Sequence, residues 1–401
     1  MQLLMVCDRF PPEPGGVAAS AERISGTLSQ MGHAVEVLTF SNREAPGQSH
    51  CTLSAHLLAV HRFGPFDDIA LTLEQAERLT LLLHRRHRFQ IVWAHGLGTS
   101  AFLGTYFARR VGIPLVASVR GDDFDRHFYP PGDFARMEWC LRSASAINAV
   151  SAEMAARVET VAGRSVIVLP NAVDAQKFRP GPRPDGLALR YGLHPDELVL
   201  GFSGELRASK GITFLLEAFR MVRTTRPATR LLIIGDVHPD DRAEFQRFLA
   251  GTPGLASSVV RTGHLRDSAA VASHLRLCDV LLLPSLREGM PNAVLEGLAS
   301  GILVVAAAVG GIPEVIVDGR NGVLVPGTHL HLLGRRLLEV LDWTPERQRI
   351  VIEAGRDTVL EKFTLAQERE RLGHVMEALL HSVQTNRASS RVRHPATSKR
   401  E

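Results

Sequence analysis

Glu288 and Glu296 stand with seven residues between them in the stretch 284–301, PSLREGMPNAVLEGLASG. A strand-like run, VLLLPS, enters a loop, LREGM, and helix-forming residues follow from Pro291. Proline suits the first helical position, where a missing N–H costs nothing. Met290 before it has no side-chain oxygen to accept from the amides of the first turn. Those amides, at the positive end of the helix dipole, suit an anion such as phosphate. Gly289 permits close approach of the backbone. Glu288 then lies at the mouth of the loop and Glu296 about one and a half turns into the helix. Carboxylates repel phosphate, so sugar and ribose hydroxyls are their natural partners. The same residues are equally compatible with two solvated glutamates and a water-capped helix.

Four further clusters carry potential chemistry. In 201–211, GFSGELRASKG, a strand meets a glycine-rich turn and a helix that opens near Gly211. Lys210 stands out because only four lysines, at 177, 210, 362 and 399, occur among 46 basic residues. A compact ammonium beside two helix starts suits a diphosphate, and Arg207 is a second cation; a lone surface lysine is the plain alternative. The first loop, DRFPPEPGGV, offers Gly15-Gly16 as backbone amides for an anion, or simply a flexible turn; the dinucleotide fingerprint GxGxxG is absent. His95 (WAHG) and Arg120-Gly121-Asp122-Asp123 each follow a strand-like run. His95 is as compatible with a structural as with a catalytic role. Residues 310–321, GGIPEVIVDGRN, put Gly310-Gly311 before a helix expected to open at Ile312, a second candidate anion site.

Positioning these residues requires strand ends. Apolar runs at 2–7, 34–39, 91–94, 115–119, 146–150 and 166–169 alternate with amphipathic stretches at 17–31, 71–84, 100–111 and 151–161. Near-continuous apolar strands between helices indicate a parallel sheet covered on both faces. A proline-rich connector, PNAVDAQKFRPGPRPD at 170–185, breaks the pattern. Strands then recur at 199–203, 230–234, 259–262, 280–283 and 303–307, with helices at 211–226, 242–250, 268–277 and 292–299 and a helical stretch over 328–382. The fold class is α/β, with two doubly wound Rossmann-like domains facing across a cleft. Ligands of such sheets bind beyond the carboxyl ends of the strands.

Composition sets the outer bounds. A chain of 401 residues, 45% hydrophobic and 22% charged, is an ordinary globular protein. Its most apolar window, 302–312, is far shorter than the roughly 20 residues needed to span a bilayer. The start, MQLLMVCDRF, lacks a basic region and reaches Asp8 too early for a signal peptide. Cys7, Cys51, Cys140 and Cys278 show no metal or redox spacing, which suggests a reducing, cytoplasmic compartment. Residues 384–401 carry Arg387, Arg391, Arg393, Lys399 and Arg400 against Glu401, the same +4 as the whole chain. The body is therefore neutral, which argues against nucleic acid as partner. The basic tail is expected to be disordered. Together with LLLHRRHR at 81–88 it offers contact with an anionic membrane, or else it is merely solvated.

These motifs resemble the retaining glycosyltransferases of family 4, which have the GT-B fold. Glu288 and Glu296 match that family's E-x7-E pair, GELRASKG its glycine–lysine loop, PNAVDAQKF its linker motif, and the first loop its N-terminal glycine loop. The resemblance runs from residue 1 to about 380. It implies an N-terminal acceptor-binding domain over 1–170 and a linker over 171–185. It further implies a nucleotide-sugar-binding domain over 186–362, a helix over 363–383 returning to the first domain, and the tail at 384–401. It implies sugar transfer from a nucleotide-sugar to a glycan, lipid-linked or small-molecule acceptor in polysaccharide or glycoconjugate synthesis.

By the same resemblance Glu288 contacts the donor sugar, Glu296 the ribose and Lys210 the diphosphate. Gly289, Met290, Pro291 and Asn292, with Gly310 and Gly311, form the donor-binding stretches whose free backbone amides take phosphate or sugar, Gly263-His264-Leu265 flank the base, and Gly204 and Glu205 line the loop. His95 and Asp123 are catalytic candidates, and Gly15, Gly16 and Arg120 form an acceptor or phosphate loop. Two departures stand out: Glu205 replaces the family's arginine, and Arg120 replaces a histidine common before Gly-x-Asp. No carboxylate cluster reads as a divalent-cation site, so neither metal nor resident cofactor is expected. A non-catalytic nucleotide-sugar-binding partner and an epimerase of the same fold are the competing readings.

Overall fold

The computed structural model describes residues 1–55, 57–121, 123–128, 130–251 and 253–392. It divides into two compact units: 1–13, 17–169 and 369–401 form the first, 14–16 and 170–368 the second.

The first unit contains β1 (Gln2–Cys7), α1 (Gly16–Gln30), β2 (Ala34–Phe40), β3 (Ser49–Ala55), β4 (Leu58–Phe63), α2 (Ile69–His87) and β5 (Ile91–His95). After these come α3 (Thr99–Val111), β6 (Leu115–Val119), α4 (Asp123–Phe128), α5 (Pro131–Ser143), β7 (Ala146–Ala149), α6 (Ala152–Ala162) and β8 (Ile167–Val168). The sheet order is β3-β4-β2-β1-β5-β6-β7-β8, parallel except for the β3–β4 pair. Strand alternation explains the two-faced core. Leu4 and Val6 of β1 join one apolar cluster, whereas Leu3, Met5 and Cys7 join the other. Helix α2 starts where the Asp68 carboxylate accepts from the amides of Ala70 and Leu71.

The second unit begins with the connector and α7 (Asp185–Arg190), then β9 (Leu198–Ser203), α8 (Ile212–Thr225), β10 (Thr229–Ile234), α9 (Arg242–Ala250) and β11 (Val259–Arg261). It continues with α10 (Ser268–Leu275), β12 (Val280–Leu283), α11 (Asn292–Ala299), β13 (Leu303–Ala308), β14 (Val323–Pro326), α12 (Leu333–Leu341) and α13 (Pro345–Lys362). Its sheet is parallel throughout, in the order β11-β10-β9-β12-β13-β14. The chain builds outward from β9 in one direction and, after β12, in the other. The topological switch point therefore lies between β9 and β12. The final helix, α14 (Leu365–Val392), groups with the first unit from Arg369 onward. Its Leu372, Val375, Met376 and Leu379 pack with Leu3, Met5 and Trp93.

Both units are Rossmann-like α/β domains, the class read from the alternating apolar runs. Several details differ. The hairpin β3–β4, helices α4 and α5, and strand β14 have no counterpart in the expected elements. β3 is an exposed antiparallel edge strand, SHCTLSA, without an apolar run. The segment 384–392, expected to be disordered, continues α14, whose residues to Val392 hold helical backbone; residues 393–401 lie outside the described residues. Among the described residues, no helix is long and apolar enough to cross a membrane.

Candidate active site

Two loops meet at the switch point of the second unit. After β9 the chain passes Gly204 at φ +129°, which a side chain rarely adopts, and reaches a 3₁₀ turn over Ala208–Lys210. Gly211 then caps α8 in the left-handed region at φ +74°. A Cβ on Gly211 would lie 1.9 Å from the Pro284 carbonyl oxygen, so only glycine lets the two loops touch. The Leu286 amide donates to the Ser209 carbonyl at 2.9 Å and locks the contact. On this base Lys210 Nζ donates to Glu288 Oε1 at 2.6 Å. Ser285 Oγ donates to the same carboxylate oxygen at 2.7 Å. The Glu288 side chain is 7% exposed, that of Lys210 27%.

The loop after β12 is held from two more sides. A Cβ on Gly310 would meet the Glu288 carbonyl oxygen at 1.9 Å, and the Gly311 amide donates to the Gly289 carbonyl at 2.7 Å. From the connector, the buried Asn171 donates through Nδ2 to the Met290 carbonyl at 2.7 Å. Asn171 lies in the linker motif, yet sequence reasoning gave it no role. Ser285, which fixes the Glu288 carboxylate, was missed in the same way.

Helix α11 opens at Asn292, with Pro291 as its N-cap at φ −71°, ψ 128° and no side-chain oxygen on its amides. The range expected for this helix, 292–299, is the one observed, but Pro291, expected at its first position, is the N-cap, because an extended ψ excludes it from the helix. The inference of an uncapped start stands on Pro291 instead of Met290. Asn292 Oδ1 is buried without a hydrogen-bond partner among the described residues. Glu296 is the fifth residue of α11 and half-buried. The second anion site expected at Ile312 is corrected: Ile312–Glu314 is a single 3₁₀ turn, too short for an aligned helix dipole. Gly310 and Gly311 instead buttress the Glu288 loop. Gly263, at φ +72°, with His264 and Leu265, follows β11, and the Gly235 amide donates to Thr262 Oγ1 beside it. Arg207 is half-buried at the head of the 3₁₀ turn. Glu205 is exposed and forms no ion pair among the described residues.

Residues 197–342 match the model described as glycosyl transferases group 1, and residues 14–177 that of glycosyltransferase family 4. The chain belongs to the group 1, family 4 glycosyltransferases. It is 27% identical to a GDP-mannose-dependent alpha-(1-6)-phosphatidylinositol monomannoside mannosyltransferase of Mycolicibacterium smegmatis, covering 93% of this chain and 98% of the relative. It is 27% identical to a D-inositol 3-phosphate glycosyltransferase of Segniliparus rotundus, covering 86% and 80%. In fold it is similar to the sucrose-phosphate synthase of Thermosynechococcus elongatus, at TM-score 0.81 and 17% identity over 95% and 99% of the two chains. Anabaena HepE in complex with UDP-glucose matches at TM-score 0.78 and 17% identity over 94% and 100%. These likenesses and the two Rossmann-like units establish the GT-B fold.

In the first unit of this glycosyltransferase the expected residues gather past β5 and β6. His95 is fully buried, and its Nε2 lies 2.8 Å from Ser20 Oγ. Burial, with Arg120 and Arg23 nearby, pushes its pKa well below the usual histidine range, so the ring is neutral. Of the structural and catalytic roles that the sequence left open for it, full burial against Ser20 matches the structural one. Arg120 is 4% exposed and donates through Nη1 to the Leu169 carbonyl at 2.8 Å. Its guanidinium thus anchors backbone, which departs from the acceptor or phosphate loop in which it was expected. Asp123 accepts from the Gly121 amide at 2.9 Å and begins α4, while Asp122 lies outside the described residues. Gly15 adopts φ +127° and Gly16 opens α1; Pro14–Gly16 groups with the second unit.

Proposed function

We propose that the second unit binds the nucleotide-sugar donor and that the sugar passes, with retained anomeric configuration, to a hydroxyl on a glycan, lipid-linked or small-molecule acceptor held by the first unit. The observation that carries this reading is the Lys210–Glu288 pair at the switch point, beside the uncapped start of α11. Lys210 and those amides stabilise the negative charge that grows on the departing diphosphate. Glu288 takes hydroxyls of the transferred sugar, and Glu296 takes the ribose diol. The acceptor oxygen bonds to the anomeric carbon on the face from which the diphosphate leaves. Its proton moves to the departing phosphate oxygen, so no protein base is required.

The reaction proceeds without a metal ion, because fixed cations and helix amides supply the charge. The test is a nucleotide-sugar panel, including GDP-mannose and UDP-glucose, scored by thermal shift and by release of nucleoside diphosphate. Product anomers are read by NMR with and without EDTA. Retention and EDTA-insensitive turnover are expected. Inverted product, or activity lost in EDTA and restored by Mn²⁺, overturns the mechanism.

A further inference from the structure

A cavity of about 330 Å³ lies wholly within the first unit at the carboxyl ends of β1 and β2. Asp8, Arg9, Glu13, Phe40, Asn42 and Arg43 line it. Its size falls at the lower end of the range for small-ligand sites, enough for one sugar ring.

Its walls are fixed. Arg62 spans from Thr52 Oγ1, at 2.8 Å, to the Pro11 carbonyl, at 2.6 Å, and ties the loop after β1 to the sheet edge. The Glu13 amide donates to the Phe10 carbonyl at 3.1 Å, and Phe10 is buried. Asp8 Oδ1 accepts from the Ser100 amide at 2.9 Å. Phe40 meets Phe63 edge to face, with centroids 6.3 Å apart.

Within this frame Glu13 Oε1 accepts from Ser41 Oγ at 2.9 Å and lies 3.7 Å from Arg43 Nε. Glu13 Oε2 is buried with no hydrogen-bond partner among the described residues. A buried carboxylate oxygen without a donor is costly unless a ligand supplies one. Two carboxylates, two guanidiniums, an amide and an aromatic ring make a lining with no net charge, rich in both donors and acceptors. That chemistry fits an uncharged cyclic polyol: hydroxyls for Glu13, Asp8, Asn42 and the arginines, and a C–H face for Phe40. A phosphate here would meet two carboxylates as well as two guanidiniums, so the lining offers its charge no net attraction.

We propose that this cavity is the acceptor subsite, and that it takes an uncharged pyranosyl residue whose hydroxyl donates to Glu13 Oε2. The inference rests on the reading of the first unit as acceptor-binding. Its test uses the full chain and methyl α-D-mannopyranoside, methyl α-D-glucopyranoside, myo-inositol and inositol 1-phosphate as probes. Saturation-transfer NMR reads binding of each, and calorimetry with UDP and GDP reads the donor site separately. At least one neutral glycoside is expected to bind, with affinity about tenfold lower in Glu13→Gln, as for loss of a hydrogen bond to a charged group. Exposed Asn42→Ala, which leaves the core intact, is expected to weaken the same probe while leaving nucleotide binding unchanged. Absence of glycoside binding, unchanged binding in both variants, or preference for inositol 1-phosphate overturns the proposal. Failure of UDP and GDP to bind instead overturns the donor-site reading.

Discussion

Lys210 Nζ and Glu288 Oε1 lie 2.6 Å apart, joining the loop after β9 to the loop after β12 at the point where the second sheet reverses its winding. With Glu288 nearly buried and Lys210 a quarter exposed, the ammonium is the group that reaches outward. A diphosphate can therefore recruit Lys210 while Ser285 continues to hold the Glu288 carboxylate. The pair pre-organises both side chains before substrate arrives, so little reordering is left for the bound state.

The cation arrangement predicts a graded mutant series. Lys210→Ala and Arg207→Ala should each lower kcat by about 10²-fold, because each removes charge stabilisation that grows in the transition state. Glu205→Ala should stay within about fivefold of wild type, since an exposed, unpaired carboxylate contributes little. Steady-state kinetics with one fixed donor decide this. Wild-type turnover in Arg207→Ala with a dead Glu205→Ala would assign the loop a different chemistry.

Glu296→Ala should act on donor binding. Loss of the acceptor for a ribose diol costs about 1–3 kcal/mol, seen by calorimetry as weaker nucleoside diphosphate affinity. Unchanged affinity would remove Glu296 from the site.

Asn171 predicts a coupled effect on stability and activity. Asn171→Ala removes the donor to the Met290 carbonyl at 2.7 Å and leaves that carbonyl without it. A loss of about 1–3 kcal/mol in urea unfolding is expected, with reduced turnover because the Glu288 loop loses a support. Asn171→Asp, which keeps the shape but not the donor, should behave alike. Unaltered kinetics in both variants would make the bond purely structural.

These residues also mark what the sequence made legible. The strand–loop–helix pattern around Glu288 and Glu296 was readable because its parts are contiguous and each has a local cause: apolar run, glycine, proline. The alternation of apolar runs and amphipathic stretches likewise revealed both Rossmann-like units. Contacts between distant segments were not readable. Lys210 and Glu288 are 78 residues apart, Asn171 and Met290 119 apart, and neither pair leaves a periodic trace. His95 showed only that it ends a strand; its burial depends on α1 covering it through Ser20. The exposed edge strand β3 lacks the apolar pattern on which strand reading depends.

His95 predicts a pH dependence of stability with a definite sign. Its folded pKa is well below the unfolded value of 6.5, since burial and the nearby arginines disfavour the imidazolium. The unfolded chain therefore binds the extra proton, and stability falls as pH drops below about 6.5. The slope approaches about 1.4 kcal/mol per pH unit for this one group. Urea midpoints at pH 5, 6 and 7.5 should fall less steeply in His95→Gln than in wild type. Parallel profiles would show that the ring accepts a proton in the folded state.

The glycines that let loops touch give the last prediction. Gly310 sits at φ +54°, and an added Cβ would lie 1.9 Å from the Glu288 carbonyl oxygen. Gly310→Ala must therefore displace the backbone on which the Glu288 carboxylate stands, in addition to adopting a backbone conformation costing about 1 kcal/mol or more. Gly319, at φ +70° with no heavy atom within 4 Å of an added Cβ, is the internal control. Gly319→Ala bears the backbone cost alone and should lose stability with kcat/KM near wild type. Gly310→Ala should lose activity by about 10²-fold, well beyond what its change in unfolding midpoint explains. Equal activity losses in the two variants would mean that the close approach of Gly310 to Glu288 has no part in placing the carboxylate.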